Sequence, residues 1–167
     1  MNTMKFLMLV VLFGVTTAQA SDFKVGVIDT ERVLRESAPA IRAEQKIEKE
    51  FSGRDAEIKK MAKQAKELQA QLEKDTTNDA NHRNRERELT AMNVNLQRLQ
   101  REFREDLNLR KNEELAMVLD RANKAVQAIA ELEKYDLVLQ EAVYRNPKVD
   151  ITDKVIKYLA TDKADGK

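Results

Sequence analysis

The chain has 167 residues, of which 30 are Lys or Arg and 29 are Asp or Glu, and it lacks cysteine and tryptophan. A formal net charge of +1 gives no overall basic excess to attract nucleic acid, and the lack of cysteine excludes disulfides and thiolate metal sites. Charged residues make up 35% of the chain and aromatic residues 5%, a composition typical of long helices and coiled coils.

The first twenty residues have the features of a secretory signal peptide. Lys5 supplies a positive charge, residues 6–15 form a short apolar run, and Ala18, Gln19 and Ala20 form a small-residue cleavage site. The run is too short to span a bilayer, which disfavours the alternative of a retained anchor. We therefore expect cleavage after Ala20 and an exported, soluble mature chain. Removing Lys5 leaves 29 basic and 29 acidic side chains, so the mature net charge is zero.

The first elements of the mature chain are predicted to be a strand and a short helix. Residues 23–29 alternate apolar and polar side chains and then become continuously apolar, which predicts a strand. Thr30 is a suitable N-cap for a short helix that continues through Leu34. Ser37 is a suitable N-cap for the next helix, and Pro39 fits in its first turn.

Two long charged helical stretches dominate the chain, Ala38 to about Lys74 and about Asn81 to Glu133, with a polar break near residues 76–81. They would be roughly 55 and 80 Å long, which indicates an antiparallel helical hairpin with two arms. Spacings of four and three predict a coiled-coil seam in the first arm, formed by Ile47, Phe51, Arg54, Ile58, Met61, Ala65, Leu68 and Leu72. Gly53 lies beside the polar interruption, and we interpret it as a hinge because Gly weakens a helix interior.

The second arm begins with the same spacing and then changes its pattern. Its first apolar residues are Leu89, Met92, Leu96, Leu99 and Phe103. Residues 104–114 then contain only two apolar side chains, after which a broader stripe resumes with Leu115, Val118, Leu119, Ala122, Val126, Ile129 and Leu132. Successive members of one apolar set are eleven residues apart: Leu96, Leu107, Val118 and Ile129. This spacing favours a straighter path of the helix than a tight supercoil. Because this arm is the longer one, we expect its last turns to pack on something other than the first arm.

The C-terminal segment is predicted to contain more strands and one more helix. Residues 135–139 are a second strand candidate and residues 142–144 a weaker third, before a break at Asn146 and Pro147. Thr152 is a suitable N-cap for a short helix, whose apolar face is formed by Val155, Ile156 and Leu159.

Together these elements predict an α+β fold that is mostly α. A long antiparallel coiled-coil hairpin, residues 38–133, is expected to project from a small β-containing body formed by residues 21–37 and 134–167. One chain has too few strands for a stable sheet, so we expect the body to be completed by association of several copies. The residues expected to form this shared body are Val25, Val27, Ile28, Val33, Leu34, Leu137, Leu139 and Val143.

The sequence contains no catalytic or cofactor-binding motif. His82 is the only histidine, which excludes a His-based metal cluster, and its place near the hairpin turn suggests a solvated residue. The serines lack a nucleophile-elbow context, and the glycines form no phosphate-binding loop. We therefore expect no enzyme activity, no metal and no cofactor.

Four segments of the chain resemble the Skp/OmpH family of periplasmic chaperones: residues 24–34, 103–115, 135–139 and 149–155. The first of them is followed, as in the family, by a long charged helix that carries Glu50, Phe51 and Arg54. The resemblance runs in order over nearly all of the mature chain. It implies a homotrimer whose body is assembled from three subunits, with helical arms around a cavity. It also implies an ATP-independent holdase that shields unfolded outer-membrane proteins in the periplasm. The alternative is a structural coiled-coil envelope adaptor with one fixed protein partner.

Two basic runs on the arms are candidates for contacts with clients. They are Lys59, Lys60, Lys63 and Lys66 in the first arm and Arg83, Arg85 and Arg87 in the second. One interpretation is that they form an ordinary solvated face of the helices. The other is that they attract acidic clients or anionic lipid headgroups electrostatically. For four of the seam residues two interpretations stay open, packing in the seam or exposure to clients: Met61, Leu68, Leu72 and Met92. The resemblance further implies a lipopolysaccharide contact at Arg110 and Lys111, although Leu107 and Leu109 beside them depart from a basic pattern.

Overall fold

The computed structural model describes residues 23–161 apart from residues 76 and 78. The expected signal peptide and residues 162–167 lie outside the described residues. The elements in chain order are β1 (Val25–Ile28), α1 (Thr30–Glu36), α2 (Ala38–Lys74), α3 (Ala80–Glu133), β2 (Leu137–Gln140) and α4 (Thr152–Ala160). The predicted α+β, mostly helical architecture is confirmed, and α2 has the predicted bounds. No described helix combines the length and the apolar character needed to cross a bilayer.

Side-chain caps set the starts of three helices. The Asp29 carboxylate accepts a hydrogen bond from the Arg32 amide (2.9 Å), so Asp29 caps α1 and the prediction of Thr30 as the cap is wrong by one residue. Ser37 caps α2 as predicted, because its hydroxyl accepts from the Ala40 amide (3.4 Å). Asp79 caps α3 by accepting from the His82 amide (2.8 Å).

The sheet consists of β1 and β2 in parallel, with Val25 in register with Leu137 and Val27 with Leu139. On its other side, β1 bonds to residues 149–151: the Val27 amide donates to the Val149 carbonyl (2.8 Å), and the Ile151 amide donates to the Val27 carbonyl (2.9 Å). The predicted third strand at residues 142–144 is therefore wrong, since the segment beside β1 comes later in the chain.

Thr152 has a different role from the predicted cap of α4. The cap position is Ile151, and Thr152 is the first helical residue. Its buried hydroxyl accepts a hydrogen bond from the Asp29 amide (2.9 Å), which ties the start of α4 to the end of β1. The prediction failed because a threonine before an apolar periodicity marks a helix start only to within a residue or two.

A single chain has its own hydrophobic core where α1, α3, β1 and α4 meet. Its buried members are Ile28, Val33, Ala122, Ala125, Ile129, Ile151, Val155 and Leu159. The last third of α3 thus packs on the body, as its extra length predicted. Ile28 and Val33, which we expected in a body shared between copies, are instead 4% and 0% exposed within one chain. They support the body from inside and are not available to another copy.

The arms pack along the predicted seam. Phe51 and Ala65 are buried, and the other seam positions of α2 are half-buried. The residues spaced by eleven in α3 all turn inward, with Val118 and Ile129 buried. Two residues of the predicted stripe are exposed, Leu115 (43%) and Leu132 (80%).

Candidate functional site

The sheet has apolar side chains on both faces. Residues in register on parallel strands point to the same face, so Val25, Val27, Leu137 and Leu139 share one face, which we call the outer sheet face. Leu137 and Leu139 are 42% and 43% exposed there, whereas Val27 is buried. On the opposite face, Val138 packs against the core. The outer sheet face is therefore an incompletely covered apolar surface.

A fixed loop carries two more exposed apolar side chains beyond β2. Val143 is fully exposed and Tyr144 is 82% exposed. The loop is held at its start by the Glu141 amide, which donates to the Ile28 carbonyl (3.2 Å). At its end, the Arg145 guanidinium lies 2.9 Å from a carboxylate oxygen of Asp29. Exposure of Val143 is thus a property of an anchored loop.

Charged groups close the body around this sheet. The backbone amide of Arg32 and the guanidinium of Arg145 hold the pKa of Asp29 below its usual value. Arg145 also contacts Asp150 (2.9 Å), which lies beside β1. At the end of α3, the Lys154 ammonium is 2.5 Å from Glu133 and lowers the pKa of that carboxyl. One of these contacts, between Arg145 and Asp29, connects segments more than a hundred residues apart, and together the contacts help to fix the geometry of the outer sheet face.

An open concavity of about 540 Å³ lies where α1, α2 and α3 meet. Apolar side chains form most of its wall: Leu34, Ala40, Ala43, Ile47, Leu115 and Val118. Lys111 and Glu114 also line it. Leu34, which the sequence assigned to the shared body, is therefore half-buried at this junction and lies off the outer sheet face.

The two arms are joined firmly at one level by ion pairs around Arg110. Its guanidinium contacts Glu50 of α2 (3.1 Å) and, on α3 itself, Glu113 (2.7 Å) and Glu114 (2.6 Å). The Glu114 carboxylate is 8% exposed and also receives Lys46 of α2 (2.8 Å). The hydrogen bond that Arg110 donates to Glu113 and the ion pairs with Glu114 and Glu50 raise the pKa of Arg110 above its usual value.

An aromatic pair stands beside these ion pairs. The rings of Phe51 and Phe103 meet edge to face, with centroids 5.6 Å apart. Arg54 lies over both rings (5.8 and 5.9 Å) and pairs with Asp106 of the other arm (2.7 Å). We call this set of residues the clasp: Lys46, Glu50, Phe51 and Arg54 of α2 with Phe103, Asp106, Arg110, Glu113 and Glu114 of α3.

The sequence did not predict the clasp, although it carried two signals of it. One was the polar interruption of the seam at Arg54, and the other was the stretch 104–114 with few apolar side chains. Both are positions where the two arms exchange apolar packing for charge. The structure places Arg110, a candidate lipopolysaccharide contact, inside the clasp with three carboxylates, whereas Lys111 is exposed.

The candidate apolar client contacts lie in the seam. Leu68, Leu72 and Met92 are half-buried, and the Met61 sulfur accepts a hydrogen bond from the Asn95 amide group across the arms (3.8 Å). Gly53 is exposed in an unbroken part of α2, and a Cβ added there would contact nothing within 4 Å. The described structure thus places the four apolar side chains along the seam between the arms.

All members of the basic runs are exposed except the half-buried Arg85, but they differ in how they are paired. Lys59 pairs with Asp55 (2.5 Å) and Lys63 with Glu67 (3.7 Å), each one turn away on α2. Within the described ranges, Lys60, Lys66 and Arg87 are exposed and form no ion pair, whereas Arg83 has an interaction of its own.

The turn between the arms is organised around Asp75. The Thr77 hydroxyl and amide both donate to its carboxylate, and Arg85 pairs with it, which lowers the pKa of Asp75 to about 2. His82 was expected to be solvated, but its side chain is only 17% exposed. It lies between Asp75 (3.9 Å) and Glu86 (3.4 Å), because the α3 cap turns it back towards the end of α2.

The fold and the candidate surfaces define a small α+β body that carries one long antiparallel helical hairpin. The sequence profile of the family described as "Outer membrane protein (OmpH-like)" matches residues 24–159, which include the body and both arms. The chain therefore belongs to the OmpH-like family.

Curated relatives of the chain are named as chaperones. It is 29% identical over 152 residues to "Chaperone protein Skp" of Pectobacterium atrosepticum, with 88% of this chain and 91% of the relative covered. It is 28% identical over 147 residues to the protein of the same name from Escherichia coli K12, covering 85% and 89%. A crystal structure of a putative outer membrane chaperone (OmpH-like) from Caulobacter crescentus has the same fold, with a TM-score of 0.68, 18% identity and coverage of 81% and 83%.

Proposed function

We propose that the mature chain is an ATP-independent holdase that binds unfolded outer-membrane β-barrel proteins between helical arms and prevents their aggregation. The observation that carries this proposal is membership of the OmpH-like family over residues 24–159, together with relatives named as chaperones. The hairpin supports it, because arms of roughly 55 and 80 Å extend far beyond the core of the body. Binding of this kind requires no nucleotide, cofactor or catalytic group.

We propose further that the chain works in the periplasm, after removal of residues 1–20 as a signal peptide. The positive charge, short apolar run and small-residue cleavage site of the sequence support this location. In that compartment, unfolded outer-membrane proteins present alternating apolar side chains and unpaired strand edges. A chaperone that holds them must offer a protected space and many weak contacts.

The protected space is proposed to come from a homotrimer whose copies meet through the outer sheet face. Parallel sheets are normally covered on both faces, and in one chain the face with Val138 packs on the core whereas the outer sheet face is covered only in part, at Val27. Leu137 and Leu139 are exposed on the outer sheet face, and Val143 is exposed in the anchored loop beyond β2. The body (residues 21–37 and 134–167) would then hold three arms (residues 38–133) around a cavity. The number three rests on the family resemblance.

Client contacts are proposed to be electrostatic along the distal arms. Between residues 55 and 102 of the described chain, Val94 is the one large apolar residue that is exposed (63%), so apolar contacts alone give little surface there. Lys60, Lys66 and Arg87 point to solvent and can attract acidic segments or anionic lipid headgroups. Many such contacts inside one cavity add up through a high effective concentration. Of the lipopolysaccharide candidates, Lys111 is the side chain open to such a contact.

The test is suppression of aggregation by the purified mature chain without nucleotide. Two unrelated outer-membrane barrel proteins are diluted from urea into buffer, and light scattering follows their aggregation. We expect both to remain dispersed in complexes whose mass, by size-exclusion chromatography with light scattering, equals three copies plus one client. Aggregation at the rate of the clients alone, together with stable binding of one folded partner, would favour the structural adaptor.

A further inference from the structure

Exposed apolar surface on the arms is concentrated at their base. The concavity where α1, α2 and α3 meet, which we call the junction concavity, has a volume of about 540 Å³, within the range of pockets that bind small ligands. Leu115 on its wall is 43% exposed. Between residues 55 and 102 of the described chain, by contrast, Val94 is the one exposed large apolar residue. An apolar side chain bound along the hairpin therefore finds its contact area at the base of the arms.

Charged side chains divide the edge of the junction concavity into two sides. Glu31 of α1 and Glu44 of α2 line one side, and Lys111 of α3 lines the other. Arg35 and Glu114 also line it, but both are held in ion pairs. The concavity is therefore acidic along α1 and α2 and basic along α3, so charge can orient a segment that binds there.

A row of cations continues the basic side along α3. Arg101, Arg104 and Lys111 are exposed, and none of them forms an ion pair within the described part of the chain. Their spacings of three and seven residues, and the further four residues to Leu115, place all four on one side of the helix, within roughly 80°. We call the three cations the basic row. From the rise of the helix, the row begins roughly 6 Å from Leu115 and ends roughly 21 Å from it.

We propose that the junction concavity and the basic row form one binding site for an extended client segment in which acidic residues follow an aromatic residue. The aromatic side chain occupies the junction concavity, and the carboxylates lie along the basic row. This site rests on the proposed function, because it names the kind of client segment that the base of the arms selects. It supplies an apolar contact in addition to the electrostatic attraction at Lys60, Lys66 and Arg87.

The chemistry of membrane barrels matches such a site. Barrel strands carry rings of aromatic residues at both membrane interfaces, directly beside the polar turns and loops. Aromatic rings suit the concavity because they bury a large area with few rotatable bonds. An extended chain advances roughly 3.3 Å per residue, so carboxylates two and five residues from the aromatic ring reach the levels of Lys111 and Arg104.

The test is a fluorescence-anisotropy titration of the full mature chain with a labelled peptide of about ten residues. The peptide carries one phenylalanine and, two and five residues further on, glutamates among glycines and serines. The peptide and its reverse sequence are both made, and the tighter binder is used. One comparison peptide has alanine in place of phenylalanine, and another has lysine in place of both glutamates. We expect each to bind about tenfold more weakly, and salt at about 0.5 M to remove only the difference due to the glutamates.

One pair of variants tests the apolar part of the site. Leu115→Gln removes part of the wall of the junction concavity and should weaken binding of the peptide about tenfold. Met117→Gln is the matched control, because Met117 is 44% exposed on the same helix but lies outside the junction concavity. It should leave the affinity unchanged.

A second pair of variants tests the basic row. Arg104→Gln with Lys111→Gln should weaken binding of the peptide about fivefold at low salt. Arg98→Gln with Lys124→Gln removes the same amount of charge from α3. Because Arg98 and Lys124 are paired with carboxylates of their own helix, this control should leave the affinity unchanged.

Light scattering and thermal unfolding of every variant verify its assembly and its folding. Equal binding of the three peptides, or equal affinities of Leu115→Gln and Met117→Gln, would overturn the proposal. Dissociation of the assembly by Leu115→Gln would also overturn it, because the concavity would then be a contact between copies of the chain. Aggregation of unfolded barrel proteins is measured on the same samples. A chain that keeps clients dispersed but binds all three peptides equally refutes this site alone, whereas selective peptide binding without suppression of aggregation refutes the holdase alone.

Discussion

Replacing Leu139 by Asp is the most direct test of the outer sheet face. Leu139 is 43% exposed in one chain, so somewhat less than half of the roughly 1.5–3 kcal/mol for burying a leucine remains to be gained, which is about 1 kcal/mol. An unpaired carboxylate buried there costs at least about 3 kcal/mol more. The sum is about 4 kcal/mol per copy and about 12 kcal/mol per trimer, comparable to the whole binding free energy of a nanomolar interface.

The assay is size-exclusion chromatography with light scattering at about 1 µM chain, combined with thermal unfolding at several protein concentrations. We expect the unaltered chain to elute as a trimer with a melting temperature that rises with concentration. Leu139→Asp should elute as a single chain, and its melting temperature should not depend on concentration. Leu109→Asp is the matched control, because Leu109 is 61% exposed on an arm and should leave the trimer intact.

Ile28→Ala separates the two faces of the same sheet. Ile28 is 4% exposed on the covered face, so its truncation should destabilise each chain by about 2–5 kcal/mol at every concentration. An unchanged trimer for Leu139→Asp, or dissociation by Leu109→Asp to the same degree, would refute the assignment of the outer sheet face as the contact between copies.

Three further predictions concern the arms. The double variant Lys60→Glu with Lys66→Glu should bind an acidic unfolded client about tenfold more weakly, with a flatter salt dependence, in a fluorescence titration. The control Lys59→Gln with Lys63→Gln should change the affinity less, because these two lysines are already paired. Equal affinities in all three proteins would exclude the electrostatic attraction. Gly53→Ala should stabilise α2 by about 1 kcal/mol because its Cβ meets no neighbour, and an unchanged arm spread in solution scattering would exclude Gly53 as a hinge. The pKa of Asp75 is lowered from 3.8 to about 2, so its stabilisation of the turn is complete above about pH 4 and is lost as the pH falls towards about 2. A nitroxide at Asn81→Cys should become more mobile over that range, and Asp75→Asn should show the mobile spectrum already at neutral pH; pH-independent spectra would contradict the role of Asp75.

The long helices could be predicted because the signals that form them are local. Spacings of three and four residues define the inward side of α2, and Ser37 marks its start within the same turn. Local signals also indicated the change in the second arm, where the polar stretch coincides with the clasp. They could not indicate that Arg110 would meet Glu50, because that pairing depends on the register between arms joined through a distant turn.

The sequence alone therefore determined the helices and the strand β1. It also determined that a long amphipathic hairpin leaves apolar surface that needs further packing. Only the tertiary structure decided which residues each apolar side chain packs against. It placed residues 149–151 beside β1 in place of 142–144, put Ile28 and Val33 in the core of one chain, and left Leu137 and Leu139 on an open face. The physical reason is that periodicity reports which side of an element is apolar, whereas contacts between segments a hundred residues apart depend on the summed packing of the whole body.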